Sequence, residues 1–519
     1  METIPTRHPA GPGGAVPHAL HPNLAHLLWD GAEAHPHRTA VESRDAEVDY
    51  AALRTRAAGI ASGLRERGIS PGDRVGILLD RGAEAISAFF GVLAAGAVAV
   101  NIGETLRPRQ IEHFLSRAGA SVLISSPELL GTHPRPIETS AGVVPVAELP
   151  RSADFDPVAR IGDDVAQITF TSGSTGQPKG VTLSHGNLWS VTHAVVQYLG
   201  LCAQDRIASL LPFSFVYGLN QVLCMAGSGA RLVIERSPLP QQIAASLRAR
   251  QITVLAGVPP LWGQLLGQTG FRDEPLPSLR VMTNAGGRLN PELVRGLRRA
   301  QPQARLFLMY GLSEALRSTY LDPDEVDRRP DSIGRAIPGA EIHVLRDDLT
   351  VCAPGEVGEL VQRGPTVALG YWDDPEATGK TFRPNPLLAP GVPPRERVVF
   401  SGDLVRRDEE GFLYYVSRRD RLIKSLGYRV SPDEICDVVY ASRQVAEAVV
   451  TSVPDAQRGE RIVAVVVLAP DGTMEALQSF CGLELPRYMQ PTQFELRDSL
   501  PRLPSGKFDV QAVKAGLAG

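Results

Sequence analysis

The sequence predicts an α/β protein. A large, multi-sheet N-terminal α/β domain is followed by a small, mobile C-terminal α+β domain. Three observations predict it. From Asn23 to about Val351, short apolar runs alternate with longer helical patterns, as βαβ units on parallel sheet do. After Val351 the runs alternate apolar with polar residues and lie close to turns, which suits antiparallel strands. A charged run, Ser417-Arg418-Arg419-Asp420-Arg421-Leu422-Ile423-Lys424, then precedes a final stretch with its own strands and helices.

The elements follow in order. Residues 1–22 are polar, rich in Pro, Gly and His, and lack the basic start and apolar centre of a signal peptide. They read as a flexible arm. The first domain covers 23–419. Its first apolar run is Val75–Leu79. Ala85–Val100 is uncharged but shorter than the ~20 residues that span a bilayer. It reads as a buried helix and a turn at Gly96, leading into the strand Ala97–Asn101. A helical segment, Arg107–Arg117, leads to the strand Ser121–Ser125. The alternation recurs at Arg206–Leu211, Arg231–Glu235, Thr253–Ala256, Arg280–Thr283 and Arg305–Met309. Gly355–Val361 and Gly411–Val416 are the antiparallel candidates. The second domain, 420–519, carries the strands Ala446–Ser452 and Arg461–Leu468. A charged connector between compact parts is a candidate hinge.

Composition narrows the function. A length of 519 residues suits about two to four domains at roughly 150 residues each. With 43% hydrophobic and 21% charged residues, a wholly disordered chain is excluded. Lys plus Arg is 53 against 57 Asp plus Glu, so there is no bulk drive towards nucleic acid or an anionic membrane. The five cysteines are scattered, with no CxxC pair, which argues against a disulfide framework or a structural zinc site. No membrane span is expected, and the protein reads as cytoplasmic.

One stretch points to phosphate chemistry. In Ile168-Thr169-Phe170-Thr171-Ser172-Gly173-Ser174-Thr175-Gly176-Gln177-Pro178-Lys179-Gly180-Val181, an apolar strand enters a hydroxyl- and glycine-rich turn and ends in a lysine. Glycine lets backbone N–H groups approach a polyanion, and Ser and Thr add donors. It is not a Walker A loop, because Pro178 precedes Lys179 where that pattern needs Gly. On composition alone, a flexible Ser/Gly loop is an equal reading.

The spelling resembles the signature loop of the adenylate-forming ligases: acyl-CoA synthetases, adenylation domains of peptide synthetases, and beetle luciferases. Further motifs follow in that family's order. Asn284-Ala285-Gly286-Gly287 resembles the loop that lines the adenine; taken alone it reads as a strand-to-helix turn. Tyr310-Gly311-Leu312-Ser313-Glu314 resembles YGxTE with Ser for Thr. Phe400-Ser401-Gly402-Asp403 resembles the motif whose Asp binds the ribose hydroxyls; by itself, Asp403 reads as a cap at a strand–turn junction. The run from Ser417 to Val430 resembles GRxDDxIKxxGxRV, with Ser417 for the opening glycine and Arg421 for the second aspartate. Leu500-Pro501-Arg502-Leu503-Pro504-Ser505-Gly506-Lys507 resembles the segment that carries the adenylation lysine. The resemblance covers roughly Asn23 to Val513.

The resemblance implies the following site. Thr171, Ser172, Gly173, Ser174, Thr175, Gly176 and Lys179 bind the phosphates of ATP. Ala285, Gly286, Gly287, Tyr310, Gly311 and Asp403 hold the rest of the nucleotide. Lys507, Glu314, Ser313 and Arg418 are catalytic, and Glu314 holds Mg2+, a hard cation that suits carboxylate oxygen. Asp420 is the hinge, and Gly427 faces the thiol channel. The acyl pocket takes Phe215, Val216, Asn220, Asn284 and Leu312. The implied activity converts a carboxylic acid and ATP to an acyl-adenylate and pyrophosphate, then passes the acyl group to coenzyme A. Three rivals stay open: phosphopantetheine on an acyl carrier protein as acceptor, a luciferase-type oxygenation, and a ligand-binding descendant that no longer adenylates.

Departures from the pattern bear on the acid. Phe215 stands where many acyl-CoA synthetases have a histidine, and no acidic residue lies between Leu210 and Met225. An ammonium beside Phe215, Val216 and Tyr217 would be desolvated and unpaired. The expected substrate is therefore a non-amino aryl or aliphatic acid. Arg317 either meets a second carboxylate or polar group on the substrate or forms a structural salt bridge. Leu485-Pro486-Arg487-Tyr488-Met489-Gln490-Pro491 is closer to the LPxYMxP of carrier-linked adenylation domains than to the YKxP of coenzyme A ligases.

Overall fold

The computed structural model describes residues 23–171, 178–389, 391, 396–425, 428–455, 459–503 and 506–517. The arm 1–22 and the loop residues Ser172, Gly173, Ser174, Thr175 and Gly176 lie outside the described residues, as does Gly427.

Among the described residues, the strands form three sheets. In the first, Val98–Asn101, Arg74–Leu78, Ala120–Ser125 and Gly142–Pro145 run parallel. Val165–Thr171 joins them in parallel and then pairs antiparallel with Lys179–Ser184. The second sheet has a parallel half built on Arg231–Ile234, Arg206–Ser209, Val254–Gly257, Val281–Asn284 and Arg305–Tyr310. Its antiparallel half contains Val357–Arg363, Arg397–Arg407 and Leu413–Arg418. The change from parallel to antiparallel falls after Tyr310, earlier than Val351.

The uncharged stretch folds as its pattern requires. Residues 85–94 of the helix Ala83–Ala94 are all buried, because the helix is apolar all round. Gly96 takes a φ of +77°, and Val98–Asn101 follows as a strand. One apolar core joins the first two sheets, with Leu28, Phe89, Val222 and Phe307 among its members.

The third sheet belongs to the end of the chain. Val445–Asp455 and Gly459–Leu468 pair antiparallel, and Ile423–Ser425 and Tyr428–Val430 form a small hairpin beside them. This part packs on its own cluster, which includes Ile423, Ile435, Val450, Ile462 and Leu477. The separate core begins directly after Asp420, which sits in a single short turn, Arg419–Arg421. Among the described residues, no helix is long and apolar enough to cross a membrane.

Candidate active site

The strands on either side of the Ser/Gly segment, Val165–Thr171 and Lys179–Ser184, pair as an antiparallel hairpin. Thr171 pairs with Lys179 in register, so both ends of the loop are fixed by ladder hydrogen bonds. Strand Gly370–Tyr371 pairs with the second arm, Tyr371 opposite Val181. This brings the Lys179 ammonium 5.0 Å from the Tyr371 ring centre.

Tyr371 also reaches the loop after Tyr310. Its hydroxyl donates to Glu314 Oε1 at 2.7 Å, and the backbone carbonyl of Glu314 accepts from Ala368 N–H at 2.8 Å. Burial and the Glu314 charge raise the Tyr371 pKa, so the phenol stays protonated and donates. The hairpin, Tyr371 and Glu314 are thus one connected unit. Sequence reasoning missed Tyr371, because its role depends on two segments that meet only in the fold. Among the described residues, no group of three metal-ligating side chains forms. A lone carboxylate still fits Mg2+, which binds few protein carboxylates when phosphates supply the other ligands.

A second unit surrounds Asp403. This residue lies within the long strand Arg397–Arg407, opposite Arg418, and not at a strand–turn junction. A register irregularity beside it, between Leu404 and Val405, interrupts the regular pleat. Asp403 is 6% exposed and pairs with Arg418 at 3.2 Å. The Tyr310 hydroxyl donates to its Oδ2. Burial and the Asp403 charge push the Tyr310 pKa well up. Arg418 also donates to Ser401 O at 3.1 Å. Tyr310, Asp403 and Arg418, drawn from separate motifs, therefore form one constellation.

The adenine-loop candidates follow the strand Val281–Asn284. Asn284 Nδ2 donates to Gly287 O at 2.9 Å, and Gly286 has a φ of +79°. A Cβ on Gly286 would stand 3.8 Å from Lys507 Cε. The lysine of the final part has thus been brought to the loop of the large part. The Lys507 side chain keeps an exposed surface. Its neighbours nevertheless lower its pKa, first by desolvation and then through Arg421 and Arg418, against Asp403 and Glu314. Lys507 therefore feels charges from both units described above. They also give the departure at Arg421 a consequence: a cation acts on Lys507 where the motif has an acid.

Of the acyl-pocket candidates, Phe215, Val216 and Asn220 lie on or just before the helix Val216–Ser228, Asn284 ends the strand Val281–Asn284, and Leu312 follows the strand Arg305–Tyr310. Phe213 is core, 8% exposed; Val216, Tyr217 and Leu312 are half-buried and pack against the large cluster. Phe215 precedes the first turn as its cap residue. A Cβ on Gly218 would stand 2.0 Å from Pro212 O, so only glycine lets the helix start so close to the Leu211-Pro212 turn. The Tyr217 hydroxyl bonds to Thr283 Oγ1 at 2.7 Å. The alternative of a structural salt bridge for Arg317 is not met: among the described residues its guanidinium has no carboxylate partner and stacks over Tyr217, 5.1 Å from the ring centre. Ser313 is partly exposed in the same turn as Glu314.

The fold and these two units define a class. The AMP-binding enzyme family matches residues 28–372, and the AMP-binding enzyme C-terminal domain matches residues 434–507. The chain belongs to this family, the adenylate-forming ligase superfamily. It is 32% identical over 515 residues to phosphinothricin tripeptide synthetase PhsC of Streptomyces viridochromogenes, covering 96% of this chain and 45% of PhsC. It therefore spans less than half the length of that relative. It is 31% identical over 488 residues to a feruloyl-CoA synthase of an Amycolatopsis species, covering 92% of this chain and 95% of the synthase. The crystal structure of ATP-bound MatB from Rhodopseudomonas palustris superposes with a TM-score of 0.86 at 26% identity, over 96% of this chain and 99% of that one.

Proposed function

We propose that this chain is an ATP-dependent, AMP-forming acid–thiol ligase. It activates a non-amino carboxylic acid and passes the acyl group to coenzyme A. The observation that carries this reading is the approach of Lys507 to Gly286, among the charges of Asp403, Glu314 and Arg418.

In the first half-reaction, a carboxylate oxygen of the acid attacks the α-phosphorus of ATP. The bond from that phosphorus to the bridging oxygen breaks, and pyrophosphate leaves. Lys507 neutralises charge where the carboxylate and α-phosphate meet. Asp403, oriented by Tyr310 and Arg418, accepts hydrogen bonds from the ribose hydroxyls. Thr171, Lys179 and the loop between them take the phosphates, and Ser313 adds a hydroxyl beside them. Ala285, Gly286 and Gly287 flank the base. Glu314, held by Tyr371, is the residue that would hold Mg2+, which when bound shields the phosphate charge.

In the second half-reaction, the part beginning at Asp420 turns about that residue. Lys507 withdraws and Gly427 comes to the thiol arm. The sulfur attacks the acyl carbonyl carbon, the bond to the adenylate oxygen breaks, and AMP leaves. A second reading puts the thiol on an acyl carrier protein. The Leu485–Pro491 segment and the likeness to PhsC favour it.

The test is acid-dependent exchange of pyrophosphate into ATP. Lys507→Ala should abolish exchange, by ~10²-fold or more, yet still convert a supplied acyl-adenylate to thioester. Gly427→Leu should show the opposite pattern. Equal damage to both steps from both variants would remove the two-orientation mechanism. Simple acids should exceed α-amino acids, and a tenfold preference for an amino acid would overturn the substrate class.

A further inference from the structure

Arg317 takes part in none of these steps, yet among the described residues it is a buried charge with no carboxylate partner. It is 4% exposed, and its Nε has no hydrogen-bond partner. Among the described residues, no carboxylate lies within ion-pair distance of its guanidinium. Its backbone is anchored: Gln362 Nε2 donates to its carbonyl at 3.1 Å. The preceding Leu316 is held at a φ of +59°, and Ser318 N–H donates to Tyr310 O at 3.0 Å. The side chain is therefore fixed on a turn three residues beyond Glu314 and tied to the strand end that carries Tyr310.

The opposite wall is the helix Val216–Ser228. Tyr217, Asn220 and Cys224 recur on one helical face. Arg317 stacks on the first of them, and its charge bears on Tyr217 and Cys224 against the burial that raises both. Asn220 is 6% exposed, and its Nδ2 also lacks a partner. Its Oδ1 is met by Cys224 Sγ at 3.7 Å, which leaves the amide hydrogens as the unused group. Two buried donors, one of them charged, thus occur together on the walls of the acyl-pocket candidates. Stacking on a single tyrosine does not offset the desolvation of a guanidinium. An anion of planar, two-oxygen shape does, because the guanidinium fork binds it through paired hydrogen bonds.

We infer that Arg317 and Asn220 form the far end of the acyl pocket and select an acid that carries a second carboxylate. The inference rests on the ligase reading. The acid enters with one carboxylate towards Lys507 and docks the other on Arg317. Tyr217, whose hydroxyl is already engaged by Thr283, supplies the side wall.

The test compares matched pairs in pyrophosphate exchange: succinate with butyrate, glutarate with valerate, and isophthalate with benzoate. The ratio of kcat/KM for diacid over monoacid is read in wild type, Arg317→Met and Arg317→Lys. Wild type should favour the diacid in at least one pair. Arg317→Met should lower that ratio by roughly 10²-fold, and Arg317→Lys by less, since a buried site built to bind a charged group strongly rejects an analogue that lacks it. A ratio that does not move between wild type and Arg317→Met overturns the inference. So does a wild type that prefers the monoacid in every pair; that measurement needs no variant to fold, and it leaves the ligase reading standing. A wild type that activates no acid of either kind removes both readings.

Discussion

Among the described residues, two ion pairs join the large part to the final part; on the proposed mechanism they favour the orientation that presents Lys507, and their settings predict unequal effects. Arg288 pairs with Asp437 on the helix Pro432–Ala441. Glu292 pairs with Arg443 at 3.2 Å. The Arg443 side chain is 76% exposed and that of Glu292 40%, so their contact is worth at most ~0.5 kcal/mol. The Arg288 and Asp437 side chains are 27% and 36% exposed. Burial pushes the Asp437 carboxyl up, and Arg288 opposes that shift. Discounted for solvent screening, the loss of Arg288 should cost this orientation about 1 kcal/mol. That is about a fivefold change in the orientation equilibrium. Arg288→Ala should therefore lower acid-dependent pyrophosphate exchange about fivefold. Thioester formation from a supplied acyl-adenylate should hold or rise. Glu292→Ala should change either step by less than about twofold. If Arg288→Ala lowered both half-reactions equally, or if Glu292→Ala had the larger effect, the pair would not be the clamp.

Two further predictions concern single contacts. Tyr371→Phe removes the hydroxyl that donates to Glu314 at 2.7 Å; the magnesium needed for half-maximal exchange should rise several-fold, and Glu314→Gln should raise it further. Unchanged magnesium titrations in both variants would take the metal away from Glu314. His185 is buried, accepts Leu24 N–H at 2.9 Å through Nδ1, and is held near a pKa of about 4 by burial and by Arg160, against an ordinary 6.5. The unfolded chain takes up that proton as pH falls through about 6.5, whereas the folded chain does so only near 4. The stability His185 contributes is thus whole above pH ~6.5 and is lost towards pH ~4. Between pH ~7.5 and ~5, urea unfolding should show wild type losing ~2 kcal/mol more than His185→Asn; equal losses would show that His185 is protonated in the fold.

What could be read from the sequence depended on whether a residue's role is local. The helix, turn and strand within Ala85–Val100 were legible because burial on all sides removes charge from the whole stretch. The parallel strands were legible for the same reason. Asp403 was picked out as a candidate, but its local setting differs from the expected strand–turn junction. Its neighbours Ser401 and Gly402 look like a turn, yet they belong to a long strand with a register irregularity. Tyr371 carried no local signal: it matters because strand Gly370–Tyr371 pairs with the arm that begins at Lys179, and that pairing joins segments far apart in the sequence of the large domain. Arg317 was visible as a charge in an apolar stretch, but only the fold tells a stacked, unpaired guanidinium from an ordinary salt bridge.

On the proposed mechanism, the charges around Lys507 also give the alternation a direction. Lys507, Arg418 and Arg421 converge where Asp403 and Glu314 supply the opposing charge, and Asp403 is already paired with Arg418. Desolvation, and then Arg421 and Arg418, lower the Lys507 pKa against Asp403 and Glu314, so on this mechanism the site without nucleotide works against its own closure. The phosphates of ATP reverse that balance and favour the orientation that holds Lys507 in the cleft. Release of pyrophosphate removes most of the added negative charge while the acyl-adenylate remains. Repulsion between Lys507 and the two arginines then returns at the moment when the lysine has finished its part. The turn about Asp420 need not be driven by the thiol, since the departure of pyrophosphate already weakens the closed orientation. Arg421, which stands where the motif has an aspartate, strengthens this effect on Lys507.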